Sequence, residues 1–279
     1  MRVSCTLILL AALISSCAKK QDIVKQLTDT LTRAKGNFAL AFKDLQTGEQ
    51  ILINEHRVFH AASTMKTPVM MEVFKQVKAG GFSLADSIPI TTEFNSIVDS
   101  TFLLSPDDDS ETTLYSVKKT TIADLTKKMI VSSSNLATNL LIDLVGAKNV
   151  TQSMRDIGAN DIMVLRGVED GKAFRAGLNN KVTAYDLMLV FSSIVDEKEM
   201  IDILLGQEFN TIIPAKLPKE VKVAHKTGWI KGLNHDSGIV MLPDQRKYVL
   251  VILSDSVEDE KAAIENMATA SKMIYDYVN

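Results

Sequence analysis

Apolar and polar residues follow two different patterns along the chain, and the first pattern is typical of strands. At residues 37–56 the run NFALAFKDLQTGEQILINEH has two apolar, β-prone halves, and DLQTGEQ between them is typical of a turn. Similar short runs return near residue 221 as VKVAHKTG, DSGIVMLP and KYVLVILSD, separated by turn residues. The pattern therefore predicts a hairpin early in the chain and three strands late in it.

The second pattern is typical of helices. From about residue 64 to residue 205, apolar residues recur at spacings of three and four, as on one face of a helix. Within this stretch Gly146 is a plausible C-cap and Thr183 begins a further helix. Residues 20–34 and 257–279 also read as helices.

The order of these elements predicts an α/β (α+β) fold. We expect one antiparallel sheet flanked by the N- and C-terminal helices, with an inserted all-helical lobe beside it. The α/β lobe would comprise about residues 20–61 and 210–279, and the helical lobe about residues 62–209. A functional site is expected in the cleft between the lobes, where ligand pockets tend to form.

The N-terminus reads as an export signal. Arg2 is followed by the apolar run LILLAALI, then by small residues and Cys17. LISSC also resembles a bacterial lipobox, which implies that residues 1–16, Cys5 included, are removed and that Cys17 is acylated at the start of a mature domain of residues 17–279. A plain signal peptide with an incidental Cys is the alternative. We expect an exported protein, lipid-anchored to a bacterial membrane and facing the periplasm or cell exterior.

Composition and charge exclude several classes of function. The 279 residues are 46% hydrophobic and 23% charged, which is ordinary for a globular protein. A net charge of −3 gives no basic field for nucleic acid. His225 and His235 have no partner at metal-ligand spacing, so we expect no metal site; we also expect no cofactor and a monomer. The acidic run SPDDDSE, residues 105–111, is interpreted as a solvated loop.

Three short motifs carry the candidate chemistry: STMK at 63–66, SSN at 133–135 and KTG at 226–228. Serine is a weak nucleophile that needs a neighbouring base. Residues three apart on a helix share a face, so we expect the amine of Lys66 to lie against the hydroxyl of Ser63. Burial and nearby positive charge would lower the pKa of that amine and let it accept the proton.

The other two motifs supply groups for a leaving atom and a substrate anion. A hydroxyl and an amide in SSN can relay a proton and hold a substrate carbonyl. Lys226 and Thr227 offer an ammonium and a hydroxyl, which suit a carboxylate. Gly228 would let the strand backbone come close to an acyl group. Backbone N–H groups at the start of the helix after Ser63 can stabilise an oxyanion.

This set resembles the penicillin-recognising serine hydrolases, and specifically the class A β-lactamases, whose signature is S-x-x-K, S-D-N and K-T-G. SSNLATNLLI is also similar to the longer family run S-D-N-x-A-x-N-L-L. The resemblance implies that Ser63 is the acylated nucleophile and Lys66 its proton partner. It implies that Ser133 is the proton shuttle and Asn135 a contact for the substrate amide.

The resemblance extends to the third motif, with two departures. It implies that Lys226 and Thr227 bind the substrate carboxylate, and that the backbone N–H groups of Ser63 and Trp229 form the oxyanion hole. Ser134 replaces the usual Asp of S-D-N, which we expect to alter local hydrogen bonding rather than chemistry. Trp229 stands where a small residue is usual, and its ring is expected to narrow the substrate range.

The loop expected to carry the deacylating base departs from the family spacing. Class A enzymes activate water with a Glu in E-x-x-L-N, whereas the corresponding loop here, RGVEDGKAFRAGLNNKVTA at 166–184, has a different spacing. Arg166 and Thr183 are interpreted as the two ends of this Ω-loop. Glu169 is then assigned as the water-activating base. Asp170 is the competing carboxylate, and the alternative is that both are surface charges.

The sequence therefore predicts a serine β-lactamase that opens a small-molecule β-lactam through an acyl-enzyme on Ser63. A D,D-peptidase or another penicillin-binding serine hydrolase with slow deacylation is the second interpretation. A non-catalytic ligand-binding lipoprotein is the third, and the departures at Ser134 and Trp229 give it some support.

Overall fold

The computed structural model describes residues 20–279, so the predicted export signal and Cys17 lie outside the described residues. Helices and short strands alternate along the chain, with one long insert between two groups of sheet strands. The strands are β1 (Asn37–Asp44), β2 (Gln50–Ile53), β3 (Phe59–His60), β4 (Ser87–Pro89), β5 (Glu93–Asn95), β6 (Thr101–Leu103), β7 (Lys119–Thr121), β8 (Lys181–Val182), β9 (Lys222–Ile230), β10 (Leu233–Met241) and β11 (Lys247–Asp255). The helices are α1 (20–31), α2 (Lys66–Lys78), α3 (Ile122–Val131), α4 (Asn135–Val145), α5 (Ala147–Asp156), α6 (Gly171–Arg175), α7 (Ala184–Ser193), α8 (Lys198–Leu204) and α9 (Glu260–Val278), with 3₁₀ turns at Ala62–Met65, Pro106–Asp108 and Thr113–Ser116.

The main sheet has five antiparallel strands in the order β2-β1-β11-β10-β9. The predicted hairpin is confirmed as β1 and β2. Its turn is closed by Asp44, whose Oδ1 accepts hydrogen bonds of 2.8 Å from the backbone nitrogens of Gln46 and Thr47. The three late strands are confirmed as β9, β10 and β11, and the predicted antiparallel α/β (α+β) fold is confirmed with them.

Both faces of this sheet are buried, and the alternation of β1 shows how. Successive side chains on a strand point to opposite faces. Ala39 and Ala41 join the core shared with the inserted helices. Leu40 and Phe42 join the core formed with α1 and α9. The small residues on the first face leave room for α7, which packs against β1, β10 and β11.

Side chains or glycine cap the inserted helices, and the predicted caps at Gly146 and Thr183 are confirmed. The hydroxyl of Thr121 accepts a hydrogen bond of 3.1 Å from the backbone nitrogen of Asp124 and so caps α3. Helix α4 ends at Val145, and Gly146 follows with a φ of 82°. Thr183 caps α7 in the same way as Thr121 caps α3. The backbone bonds freed at these ends are therefore satisfied locally.

The prediction of a mostly helical insert is wrong for residues 79–121. This stretch forms two small ladders, β4 with β7 and β5 with β6, together with 3₁₀ turns. It begins with Gly80 and Gly81 and contains Pro89 and Pro106, which interrupt helices. The apolar spacing here serves loop packing instead.

The position of the edge strand β9 decides where a site can form. The 3₁₀ turn Ala62–Met65 contacts β9 and β10, at the place where the insert leaves the sheet. The division into two lobes at residues 61–62 and 209–210 stays a prediction. Within residues 20–279, no helix combines the length and apolarity needed to cross a membrane.

Candidate active site

Ser63 lies in the 3₁₀ turn Ala62–Met65, directly before α2. Its side chain is partly exposed, whereas the next three residues are buried. Strand β9 passes this turn so closely that a Cβ on Gly228 would lie 3.1 Å from the backbone nitrogen of Ser63. Two cavities of about 440 and 650 Å³ share Ser63, Asn135 and Glu169 among their lining residues. Ser63 is thus an accessible hydroxyl on an otherwise buried turn.

Lys66 begins α2 and is fully buried. Its Nζ donates to Ser133 O at 2.6 Å, Ser133 Oγ at 3.2 Å and Asn135 Oδ1 at 2.9 Å. Burial lowers the pKa of Lys66 to about 7, although the charges of Asp109 and Glu169 raise it. Its hydrogen bonds among the described residues go to the turn before α4, and not to Ser63 as the helical spacing predicts. An amine of this pKa can accept a proton near neutral pH.

Ser133 brings the three motifs together. Its backbone has a φ of 62°, a left-handed conformation that non-glycine residues rarely adopt. Its Oγ accepts hydrogen bonds from Lys66 Nζ at 3.2 Å and from Lys226 Nζ at 3.0 Å. Burial, and after it the charge of Lys66, lowers the pKa of Lys226 well below its ordinary value. The two amines compete for charge, since both are buried beside one hydroxyl.

A second buried group lies behind Lys226. His225 Nδ1 and Asp236 Oδ1 are 2.9 Å apart, and His225 Nε2 is 3.2 Å from Asn210 Oδ1. Asp236 Oδ2 accepts a further hydrogen bond of 2.9 Å from Ile213 N. The charge of Asp236 raises the pKa of Lys226 and partly offsets burial. Residues 20–279 contain no group of three or more His, Cys, Asp or Glu arranged to hold a metal ion.

Asn135 connects the lysine to the acidic side of the cavity. Its Oδ1 accepts from Lys66, and its Nδ2 donates to Asp108 O at 2.9 Å and to Glu169 Oε1 at 3.1 Å. Every polar atom of the amide is therefore engaged, which fixes its orientation. The arrangement places Glu169 on the cavity shared with Ser63.

Glu169 and Asp170 are adjacent but differ in environment. Burial, and then the charge of Asp108, raises the pKa of Glu169, while Lys66 and Arg166 oppose this. Glu169 also has a left-handed φ of 61°. Such a backbone is strained by order 1–3 kcal/mol and persists only where its surroundings impose it. A carboxylate with a raised pKa beside an accessible serine is suited to proton transfer.

The carboxylate of Asp170 is already in use. It caps α6 through Ala173 N at 3.0 Å and accepts from Ser96 Oγ at 3.1 Å and Ile97 N at 3.2 Å. Burial alone would raise the pKa of Asp170, but these hydrogen bonds lower it overall. Asp170 therefore ties the Ω-loop to the β5–β6 hairpin.

The Ω-loop is closed at its ends by side chains. Asn180 Oδ1 accepts from Arg166 N at 3.2 Å, and Asn180 Nδ2 donates to Arg166 O at 2.9 Å. Asn139 bonds both the N–H and the carbonyl of Val168, at 2.7 and 3.0 Å. A Cβ on Gly167 would lie 2.3 Å from Asn139 Oδ1, so this approach requires glycine. These contacts fix the backbone just before Glu169.

Thr227, Gly228 and Trp229 lie on β9 along the larger cavity. The indole of Trp229 is 63% exposed, and its Nε1 donates to Glu260 Oε2 at 2.8 Å. The same carboxylate accepts from Gly232 N at 2.8 Å. The ring is thus held at the mouth of the site by the first residue of α9.

Comparison with known proteins identifies the family. The family model described as the beta-lactamase enzyme family matches residues 22–278, nearly the whole chain. The chain belongs to the β-lactamase enzyme family. The predicted resemblance to class A β-lactamases is confirmed with it.

Individual relatives of this β-lactamase-family chain are distant in sequence. A β-lactamase of Bacteroides uniformis is 27% identical over 253 residues, which cover 82% of each chain. The crystal structure of a β-lactamase from Sphaerobacter thermophilus has a TM-score of 0.78 at 24% identity and covers 91% of this chain and 95% of that one. A mutant of PBP-A, solved as an acyl-enzyme complex with penicillin-G, has a TM-score of 0.77 at 23% identity, with 92% and 96% covered. The two structures show the shared fold.

Asp109 belongs to this β-lactamase-family site but was not predicted from the sequence. The interpretation of residues 105–111 as a solvated loop is wrong for Asp109, which is partly buried. Its Oδ2 accepts hydrogen bonds of 2.7 Å from Leu136 N and 3.2 Å from Ser134 Oγ. The sequence did contain a signal for this role. The S-S-N motif lacks the usual Asp, and three Asp residues stand about 25 positions before it.

Proposed function

We propose that this protein is a serine β-lactamase that hydrolyses the β-lactam ring through an acyl-enzyme on Ser63. The observation that carries the proposal is the convergence of Lys66 and Lys226 on Ser133 Oγ, at a cavity lined by Ser63. It joins a nucleophile, a titratable amine, a relay hydroxyl and an anion-binding ammonium in one place.

Acylation would begin with attack of Ser63 Oγ on the lactam carbonyl. The hydroxyl proton passes to the neutral amine of Lys66, whose pKa of about 7 makes that form available. The oxyanion that forms on the carbonyl oxygen faces the backbone N–H groups of Ser63 and Trp229. As the C–N bond breaks, Ser133 Oγ gives its proton to the ring nitrogen and recovers one from Lys66. The product of this half-reaction is an ester on Ser63.

Recognition of the substrate carboxylate is assigned to Lys226 and Thr227. Lys226 is buried, and in the free protein its pKa is lowered by burial and by Lys66. A bound carboxylate would raise that pKa, because an opposite charge favours the ammonium form. Substrate binding would therefore place the positive charge on Lys226 and leave Lys66 as the neutral base.

Deacylation would use Glu169. Its carboxylate takes a proton from a water molecule, which attacks the ester, and Ser63 leaves with that proton. The raised pKa of Glu169 and its bond to Asn135 support this assignment. Asp170 is disfavoured because capping and hairpin contacts occupy its oxygens.

A second candidate is a penicillin-binding serine hydrolase with slow deacylation, such as a D,D-peptidase. Two observations favour it: Glu169 lies outside an E-x-x-L-N pattern on a strained backbone, and a mutant of the neighbour PBP-A forms an acyl-enzyme with penicillin-G. In this case Ser63 would still be acylated, and only the release step would differ.

The test follows Ser63 in time. Purified protein is mixed with penicillin-G, and intact mass is recorded from seconds to hours beside turnover of a chromogenic cephalosporin. Many turnovers with rapid return of free protein support the β-lactamase, and a long-lived adduct on Ser63 with few turnovers supports the second candidate. Ser63→Ala should abolish adduct and turnover, whereas the exposed control Ser116→Ala should keep both. Wild type with neither adduct nor turnover would leave only non-catalytic ligand binding.

We also propose that the protein is exported, lipid-anchored through Cys17 and monomeric. The support is the sequence of residues 1–17 alone. Expression in a Gram-negative host with a clickable fatty acid should label the processed chain that begins at Cys17, and Cys17→Ala should lose the label while Cys5→Ala keeps it. Label on Cys17→Ala, or none on the wild type, would refute the anchor. Light scattering of the detergent-extracted protein tests the monomer.

A further inference from the structure

The loop formed by residues 105–111, here named the acidic loop, covers the turn that carries Ser133. The loop opens with the 3₁₀ turn Pro106–Asp108, capped by Ser105. Asp107 and Asp108 are exposed, whereas Asp109 is partly buried against the turn. Ser110 Oγ donates to Ser132 O, and Asp108 O accepts a hydrogen bond of 2.9 Å from Asn135 Nδ2, so the loop is fixed on both sides of Asp109.

The carboxylate of Asp109 lies at the N-terminus of α4. Its Oδ2 accepts from Leu136 N at 2.7 Å, Ser134 Oγ at 3.2 Å and Tyr115 OH at 3.3 Å. Its Oδ1 accepts from Glu111 N at 3.0 Å. A negative charge at a helix N-terminus is favourable, because the first N–H groups have no partner within the helix. Asp109 lines the larger cavity, but both of its carboxylate oxygens are engaged in hydrogen bonds to the surrounding structure.

Ser134 passes this contact into the helix. It is the N-cap of α4, and its Oγ accepts a hydrogen bond of 3.1 Å from Ala137 N while donating its own proton to Asp109. A serine hydroxyl has one proton and two lone pairs, so both contacts can exist together. Ser134 and Asp109 therefore act as one capping unit.

Ser134, one member of this unit, stands between the two residues whose side chains accept hydrogen bonds from Lys66. Ser133 precedes Ser134 with a left-handed φ of 62°, and Asn135 follows it. Both Ser133 and Asn135 accept hydrogen bonds from Lys66 Nζ. A left-handed non-glycine residue costs of order 1–3 kcal/mol unless the surroundings impose it. The geometry that presents the two acceptors to Lys66 thus needs an external anchor.

We propose that Asp109 is that anchor: a positioning residue whose carboxylate, supplied by the acidic loop, takes the structural place of the Asp missing from the S-S-N motif. The proposal rests on the proposed function for its kinetic consequence, but its structural part is independent of any activity. It explains how a chain with Ser at position 134 keeps a turn for which the family motif has Asp.

The charge of Asp109 also affects the pKa of Lys66. The carboxylates that raise the pKa of Lys66 are Asp109 and Glu169, while the neighbouring cation Lys226 competes with Lys66 for charge. Neutralising Asp109 removes one favourable interaction with the ammonium form. The pKa of Lys66 should then fall. The rising acid limb of the profile of acylation rate against pH should therefore move to lower pH. A purely structural contact would not shift that limb.

The experiment compares matched variants of the full chain. Asp109→Ala should lower the rate constant for acylation by penicillin-G at least tenfold, after correction for the fraction of Ser63 that can be labelled. Asp109→Asn should show the shifted acid limb. The exposed control Asp107→Asn should stay within twofold of wild type with an unshifted limb. In the Asp109→Ala background, Ser134→Asp should recover several-fold of the lost rate.

A second measurement keeps the proposal testable if the protein proves inactive. Amide hydrogen exchange at Leu136 should be at least tenfold faster in Asp109→Ala than in wild type or Asp107→Asn. Unchanged exchange at Leu136, or equal acylation rates for the Asp109 and Asp107 variants, would overturn the positioning role. A wild type with neither adduct nor turnover would refute the proposed function alone, and the exchange result would still decide the role of Asp109.

Discussion

Asn135 Nδ2 donates a hydrogen bond of 3.1 Å to Glu169 Oε1, and so joins the S-S-N turn to the Ω-loop across the cavity that contains Ser63. The other side of the same amide accepts from Lys66. One side chain thus orients both groups to which we assign proton transfer. We therefore predict separate effects on acylation, assigned to Lys66, and on deacylation, assigned to Glu169.

Replacing the base of the second step should trap the intermediate. Glu169→Gln keeps the oxygen that Asn135 needs but cannot take a proton from water. We expect acylation of Ser63 to persist and the acyl-enzyme lifetime to rise about 10²- to 10⁴-fold. Stopped-flow mixing and intact mass report the two steps separately. Wild-type turnover by Glu169→Gln would remove this residue from the mechanism.

The neighbouring carboxylate should behave differently. Asp170→Ala removes the cap of α6 and the link to Ser96, which we expect to cost about 1–2 kcal/mol of unfolding free energy. Urea denaturation measures this, with the exposed Asp107→Ala as the control expected to change stability by less than about 0.5 kcal/mol. A trapped acyl-enzyme in Asp170→Ala at unchanged stability would exchange the roles of the two carboxylates.

The acylation rate should depend on pH near neutrality. The pKa of Lys66 is lowered to about 7, and the neutral amine is the form that accepts the Ser63 proton. The rate should therefore rise as pH increases through about 7 and level off above it. Lys66→Arg keeps a charge that cannot be lost, so it should lower acylation about 10²-fold or more and abolish this limb. A wild-type rate that is flat from pH 5.5 to 8.5 would contradict Lys66 as the base.

The close approach of β9 to the nucleophile should not tolerate an extra methyl group. A Cβ on Gly228 would lie 3.1 Å from Ser63 N and 3.2 Å from both Ala62 Cβ and Thr64 Cγ2. Gly228→Ala should therefore displace β9, with about 1–3 kcal/mol of lost stability and slower acylation. Gly81→Ala is a matched control at an exposed position where the nearest atom is 3.4 Å away. Equal melting temperatures for the two variants would show that β9 moves freely.

The sequence predicted the elements whose signals are local. The strands β1, β2 and β9–β11 are short apolar, β-prone runs bounded by turn residues, and the caps at Thr121, Gly146 and Thr183 are visible in one or two residues. The prediction from the sequence failed at residues 79–121, where short ladders pair positions up to 34 residues apart, as Ser87 with Thr121. Such pairings depend on tertiary contacts that no window of periodicity contains.

The same limit applies at the site. Motif spacing identified Ser63, Lys66, Ser133 and Lys226 as candidates. The predicted contact between the amine of Lys66 and the hydroxyl of Ser63 is absent from the hydrogen bonds of the described residues, because the amine is directed to Ser133 and Asn135. Transfer of the Ser63 proton to Lys66 stays a proposal. Glu169 and Asp170 are equivalent in sequence, and only the contacts of Asp170 separate them. The hydrogen bond from Trp229 to Glu260, 31 residues later, has no local signal in the sequence. The expected narrowing of the substrate range by the Trp229 ring stays a prediction.

The two lysine bonds to Ser133 have a directional consequence. An oxygen with two lone pairs that accepts from both Lys66 and Lys226 has no acceptor capacity left. Its single hydrogen must point away from both amines, into the space that a substrate would fill. In the proposed mechanism the Ser133 hydroxyl would therefore receive protons from Lys66 and release its own proton only toward a bound substrate.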